Sequence, residues 1–361
     1  MQISVFTLLV PVVAVVFYMW MHVAPKIDWE QAPVQTYPKC AKGKTQLLVF
    51  GGTSMLGKYI MESFRGDDNL CLINYGRSKC KLCDINVKGD LRDTRHVIRV
   101  LEAFDIETVL TSVKPPLLGI HYRVYVELNM LSMIELVKAA KSHGVKNFIY
   151  VSSIAASSHY LPHDMSTEDE VKPYLTDYEA PYDVSKRLAE DFLLDAHEPG
   201  VFNAISIRTS GIIGGDGDPY DLYRFPVILS FNCPQVIDTN FAGNIGDALY
   251  VVYKTYKSKP ELGGQFYYLT GEHVEEKDLA AWTAEASGKP LLVLPYIILP
   301  TIVEWWSWFR FEHNIYSTLD LIRMALVPQT FDNSKFLKAF PDYKPKYTMK
   351  EAMFRLYDKK A

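Results

Sequence analysis

Charge of one sign, cysteine and repetitive sequence are all scarce in this chain. Basic and acidic residues nearly balance over 361 residues, 38 against 42 for a net charge of −4, with no long block of either. A nucleic-acid binder needs a basic face, so that class is excluded. Five cysteines do not make the framework of a small secreted protein, and the odd number points to a reducing compartment. Cys80 and Cys83 form one C-x-x-C without a second pair; zinc needs four ligands, so no metal site is expected. Disorder is excluded as well. Apolar residues make up 48% and charged residues 22%, the composition of a globular protein of one large or two ordinary domains.

Charge is missing altogether at the amino terminus. No charged side chain occurs from Met1 to Pro25, and Ile3 to Val23 is almost wholly apolar. As a helix that run reaches ~31 Å, matching a hydrocarbon core of ~30 Å. Pro11 is tolerated in such a helix, and Tyr18, Trp20 and His22 suit its interfacial end. A cleaved signal peptide is the rival reading, but the basic leader is absent and the run exceeds the ~7–15 residues usual there. Residues 1–25 are therefore expected to be a single transmembrane helix. Lys26, Lys39, Lys42 and Lys44 follow it, which places the body of the protein on the cytosolic side. Residues 26–44 read as a tether.

Gln46 to Phe50 is a short apolar run suited to a strand buried on both faces. It leads into Gly51-Gly52-Thr53-Ser54-Met55-Leu56-Gly57 and then a helical pattern from Lys58 to Phe64. Strand, glycine turn and helix together make a phosphate-binding loop. Gly51 allows the tight turn, Gly57 lets helix and strand approach, and the amides at the helix start face a pyrophosphate. Ser54 stands where the middle glycine is usual. A second apolar run, Leu70 to Ile73, ends at Asn74, with Arg77 and Lys79 close behind. An acidic residue there would bind the ribose 2′-hydroxyl of NAD; a neutral one followed by cations favours NADP. Gly89 to Asp93 ends a third run, where Asp90 would reach the adenine. Alternating strands and helices continue past Ser153, so a doubly wound parallel α/β sheet is expected, with ligands beyond the carboxyl ends of its strands. Its domain is taken as residues 45–240, followed by a smaller carboxyl-terminal substrate lobe, 241–361.

Ser152 and Ser153 stand at one such strand end, and Tyr182-Asp183-Val184-Ser185-Lys186 opens a later helix. Residues four apart share a helix face, so Tyr182 and Lys186 project together. A phenol has a reference pKa of ~10 and is no base at neutral pH; a neighbouring ammonium favours its ionised form. Y-x-x-x-K alone is unspecific, since it also begins at Tyr75, Tyr250 and Tyr253. Only Tyr182 opens a helix after a strand ending in serines. His159 and His163 read as surface residues of a polar loop.

Gly51 to Gly57, Gly89 to Asp93, Asn129, Phe148 to Ser153 and Pro181 to Glu190 resemble an extended short-chain dehydrogenase/reductase. Arg208 to Asp218, Phe241 to Ile245 and Gly264 to Leu269 resemble its 3β-hydroxysteroid dehydrogenase/isomerase branch, which includes dehydrogenases of 4-carboxylated sterols. The likeness spans about residues 45 to 355. It implies that Tyr182 is the general acid/base, that Lys186 lowers its pKa and holds the nicotinamide ribose, that Ser153 binds the substrate oxygen, and that Asn129 orders a relay water. The cofactor is NAD(P), NADP favoured, held by Gly51, Thr53, Ser54, Met55, Leu56, Gly57, Asn74, Arg77, Asp90, Leu91 and Lys186. The implied substrate is a steroid or sterol, with Δ5–Δ4 isomerisation open, and the implied site the endoplasmic reticulum membrane. Another lipid alcohol or ketone, or a scaffold that kept the fold, is the alternative; monomer and homodimer are both open. Ser54, Asn74, Ser132, Val113 to Pro116 and Thr209 depart from the family's pattern.

Residues 291–309 are apolar except for Glu304, with Pro295, Pro300, Trp305, Trp306 and Trp308. The prolines disfavour a second straight span. The segment reads either as an interfacial helix or lid, or as a buried helix of the substrate lobe.

Overall fold

The computed structural model describes residues 31–32, 36–115, 121–170, 173–178, 180–215, 226–233, 236–298 and 327–358. The expected transmembrane helix, residues 1–25, lies outside them, as do residues 299–309 of the apolar segment. Among the described residues no helix is long and apolar enough to cross a membrane.

The strands are β1 (Thr45–Phe50), β2 (Leu70–Gly76), β3 (Ile85–Lys88), β4 (Ile106–Thr111), β5 (Asn147–Ser153), β6 (His163–Ser166), β7 (Asn203–Thr209), β8 (Gly211–Ile213), β9 (Ile228–Ser230), β10 (Val236–Phe241), β11 (Phe266–Leu269), β12 (Glu272–Glu275), β13 (Leu291–Val293) and β14 (Gln329–Phe331). Seven of them form the expected parallel sheet, in the order β11-β7-β5-β4-β1-β2-β3. Alternate residues of β1 explain why it carries no polar face. Leu47 and Val49 pack with Ile60 and Phe64 of the helix Met55–Phe64 and with Ala248 and Leu249. Leu48 and Phe50 pack on the opposite side with Val97, Val100, Leu136 and Val137. Helices cover both faces, so both faces must be apolar. The strand order reverses between β1 and β4, the place where such sheets open a crevice.

The expected division at residue 240 does not hold. The helix Ala242–Tyr256 shares a core with Met55–Phe64, and β11 pairs parallel with β7 at the sheet edge. Conversely β6, well before residue 240, joins the smaller sheet β12-β10-β14-β6. A crossover helix must return to its sheet to bury its apolar face, so the chain passes between the two sheets more than once.

The tether is not loose where it is described. Tyr37 packs on Phe104 with ring centroids 5.5 Å apart, and its hydroxyl meets His96 Nε2 at 2.8 Å. The Ala32 amide donates to Asp93 Oδ2 at 3.0 Å. Cys40 is joined by a disulfide to Cys71 of β2. This bond stands against the reducing compartment expected from the odd cysteine count: spacing along the chain carries no sign of a single pair brought together by folding.

Candidate active site

The phosphate loop is built around close backbone approach. Gly51 has φ +88°, and a Cβ on Gly57 would lie 2.0 Å from the Gly51 carbonyl oxygen. Ser54 takes the place of the middle glycine for a local reason. Its backbone is extended, and its hydroxyl accepts from the Gly57 amide at 3.0 Å, capping the helix Met55–Phe64. No acidic residue lies in that helix's first turn, so its positive end is left to an anion.

Beside this loop lies a groove of about 260 Å³ whose lining includes Gly51, Thr53, Arg77, Asp90, Leu91 and Arg92. Asp90 accepts from Arg92 Nε at 2.9 Å and Nη2 at 3.0 Å. Burial alone raises its carboxyl, but the hydrogen bonds from Arg92 and the charges of Arg92 and Arg77 hold it below the ordinary range. Asn74 is fully buried, its amide donating to Ser78 O at 3.4 Å and to Asn86 Oδ1 at 3.3 Å. It stands against Gly52 rather than in the groove lining, where Gly76 and Arg77 are found.

A second cleft, of about 480 Å³, shares Ser54, Arg77, Lys114 and Pro115 with the groove. Met55, Leu56, Ser153, Tyr182 and Lys186 also line it. Ser153 comes from the end of β5, its hydroxyl accepting from the Ala155 amide at 3.2 Å. Tyr182 and Lys186 come from the first turns of the helix Pro181–Asp195, which Pro181 starts without an amide of its own to satisfy. Tyr182 is 5% exposed and stands edge-on to Tyr125, ring centroids 5.8 Å apart. Lys186 Nζ donates to Val151 O at 3.3 Å and sits 4.8 Å from the Tyr150 ring centre. Burial, with the charge of Lys114, pulls its ammonium down to about 7 against the attraction of Glu190.

Asn129 lies in a π-helical turn, Val126–Leu131, and is 2% exposed. Ser132, where the family pattern has glycine, donates its hydroxyl to Glu127 O at 2.7 Å and so serves this turn. Thr209 lines the cleft and donates to Ser152 O at 3.3 Å. Among the described residues no cluster of ligands suits a metal ion.

The loop histidines are not surface residues. His163 is buried, its Nε2 within 3.1 Å of Ser157 O and 3.0 Å of Ser158 O. His159 lines the cleft and is held by Asp183. The signal missed in the sequence was Asp183 itself: a carboxylate directly after Tyr182, at the buried start of a helix, needs a partner.

Glycine cradle, helix start and two joined cavities fit a dinucleotide along the loop with its reactive end beside Ser153, Tyr182 and Lys186. Residues 47–225 match the model of the NAD dependent epimerase/dehydratase family. The decarboxylating sterol-4-alpha-carboxylate 3-dehydrogenase of Candida albicans is 23% identical over 252 residues, covering 63% of this chain and 70% of that one. The 2-alkyl-3-oxoalkanoate reductase of Stenotrophomonas maltophilia is 23% identical over 258 residues, covering 68% and 76%. The structure of a Thermus thermophilus UDP-glucose 4-epimerase in complex with NAD superposes with a TM-score of 0.66 at 18% identity, over 87% of this chain and 98% of that one. The fold is shared with it.

Proposed function

We propose, from the match of residues 47–225 to the NAD dependent epimerase/dehydratase family and the likeness to a sterol dehydrogenase, that the chain is an extended short-chain dehydrogenase/reductase that interconverts a 3-hydroxyl and a 3-ketone on a steroid or sterol. One observation carries the reading: Ser153, Tyr182 and Lys186 line a single cleft that opens onto the glycine cradle. A bound nicotinamide supplies the hydride donor or acceptor. The chain's own residues handle the proton. Ser153 and Tyr182 hydrogen-bond the substrate oxygen, and Tyr182 gives up or takes its proton. Lys186, in its charged form, favours the phenolate one turn away. Whether a 4-carboxylate is lost afterwards depends on the substrate, as the name of the Candida relative suggests. A different lipid ketone is the second reading, favoured by the oxoalkanoate reductase.

NADP is the proposed dinucleotide. Gly76 leaves room at the end of β2, Arg77 lines the groove, and the nearby carboxylate of Asp90 is already paired with Arg92. The proposed location is the endoplasmic reticulum membrane, anchored by residues 1–25. The flanking lysines favour a body facing the cytosol; the Cys40–Cys71 disulfide favours the lumen, where such bonds persist.

Full-length protein in detergent, given reduced cofactor and a panel of 3-ketosteroids and 3-ketosterols, tests the activity. Turnover is expected to vanish in Tyr182→Phe with cofactor affinity retained. Undiminished turnover in that variant overturns the assignment.

A further inference from the structure

His159 is fixed in place more firmly than a loop side chain requires. Its amide donates to Asp183 Oδ2 at 2.8 Å, and its ring Nδ1 lies 3.1 Å from Asp183 Oδ1. The Asp183 side chain is fully buried, whereas that of His159 keeps 12% exposure. The residue before it, Ser158, has φ +70°, a conformation that L side chains rarely adopt. That turn is secured from two sides: His163 Nε2 bonds the Ser157 and Ser158 carbonyls, and Gln329 Nε2 donates to the His159 carbonyl at 3.0 Å. With Nδ1 turned to a buried carboxylate, Nε2 is left as the ring nitrogen with no partner among the described residues.

The charges around it indicate what it meets. The cleft that His159 lines also presents Arg77, Lys114 and Lys186, and its described lining includes no aspartate or glutamate. Arg77 and Lys186 belong to the dinucleotide's path. His159 lines the same cleft as Ser153 and Tyr182, with Lys114 also in its wall. Asp183 cannot be the cleft's own anion, since it is buried behind the imidazole and bonded twice to His159. The contact at Nδ1 fixes the ring, so Nε2 is the atom that a ligand bound in the cleft meets.

We propose that His159, positioned by Asp183, is a specificity-determining residue that receives a carboxylate of the substrate close to the reacting carbon. This rests on the dehydrogenase reading above and adds the side chain that tells an acidic substrate from a neutral one. Asp183 is a positioning residue: it orients the ring and does not touch the substrate.

The test compares two substrates, a 3β-hydroxysteroid bearing a carboxylate on the carbon next to C3 and the same steroid without it. The full-length wild type is expected to favour the acid at least tenfold in kcat/KM, chiefly through KM. His159→Gln and Asp183→Asn should bring that ratio to about one, whatever their absolute rates. Equilibrium dialysis of the same two labelled steroids against cofactor-loaded protein reads the preference without chemistry. A ratio unchanged in His159→Gln, or a wild type that oxidises the neutral steroid as well as the acid, overturns the proposal and leaves the dehydrogenase reading intact. Failure to bind or turn over either steroid overturns both. A melting temperature for each variant separates misfolding of Asp183→Asn from loss of preference, and His159→Gln carries the test if that variant is unstable.

Discussion

Asn129 donates its side-chain amide to the Ser185 hydroxyl at 3.1 Å, and Ser185 in turn donates to the Tyr182 carbonyl at 2.7 Å. The turn carrying the tyrosine is thereby tied to a neighbouring helix at a π-helical irregularity, where helices often serve function. The Asn129 Oδ1 atom is buried with no hydrogen-bond partner among the described residues, and the proposed proton path gives it a water to accept from. Asn129→Ala removes both contacts. It should lower kcat about 10–100-fold, in line with the ~1–3 kcal/mol cost of an unsatisfied buried group. Cofactor affinity should stay within about twofold. Stopped-flow turnover beside a fluorescence titration checks it, and equal losses in both would remove Asn129 from the proton path.

Gly57 and Gly51 make a second tight pairing. A Cβ at Gly57 would lie 2.0 Å from the Gly51 carbonyl oxygen and 2.8 Å from Gly52 backbone atoms. Backbone cannot move aside as a flexible side chain can, so Gly57→Ala must displace the loop. Overpacking of this kind costs ~1–3 kcal/mol, and because the displaced amides are those aimed at the phosphates, dinucleotide affinity should fall at least about tenfold. Gly66→Ala is the control, with nothing within 4 Å of its Cβ. Equal affinity for the two variants would mean that the diphosphate binds elsewhere.

What could be read from the sequence was whatever depends on neighbours along the chain. The apolar run Gln46 to Phe50 and the glycine turn after it announce strand, loop and helix, and Tyr182 with Lys186 announce one helix face. What escaped depends on residues that only folding brings together. Cys40 meets Cys71 across a separation of 31 residues, and His159 meets Asp183 across 24. Asn74 was placed at the ribose because it ends an apolar run, but the strand continues to Gly76. The two further residues move the rim of the groove to Gly76 and Arg77.

Arg77 is the residue on which cofactor choice should turn. It lines both the groove and the reactive cleft. A charged hydrogen bond to a 2′-phosphate is worth ~1.5–3 kcal/mol, so Arg77→Ala should weaken NADPH about 10–100-fold while NADH changes little. Fluorescence titration of the two cofactors reads the ratio. An equal loss for both would return the choice to NAD.

Lys186 links the site to pH. In the unfolded chain its ammonium titrates near the ordinary ~10.4; in the folded, cofactor-free protein burial and Lys114 bring it down to about 7. Below that value the folded protein carries a buried cation. Between the two values the unfolded chain binds the proton that the folded one releases, so this group makes stability rise with pH across that window. Lys186→Met lacks the group. It should be more stable than wild type at pH 6, with the gap narrowing towards pH 9.5, as urea unfolding at several pH values would show. A gap independent of pH would mean that the ammonium stays charged and partnered throughout.

The disulfide gives the remaining test, because it bears on both stability and sidedness. Cys40 and Cys71 close a loop of 31 residues, for which the entropy of the open chain predicts ~3–4 kcal/mol of stabilisation. Cys40→Ala should lower the melting temperature, and dithiothreitol should lower wild type to the same value without moving the variant. Tyr37 and Ala32, which dock on His96 and Asp93, should become protease-sensitive together with the loss. The state of the pair in protein taken from cells then discriminates between the two orientations. Alkylation before any reduction should find Cys40 blocked if the body lies in an oxidising lumen and reactive if it faces the cytosol, since cytosolic thiol pools keep such pairs reduced. A blocked Cys40 would mean that Lys26, Lys39, Lys42 and Lys44 do not set the orientation of the proposed anchor.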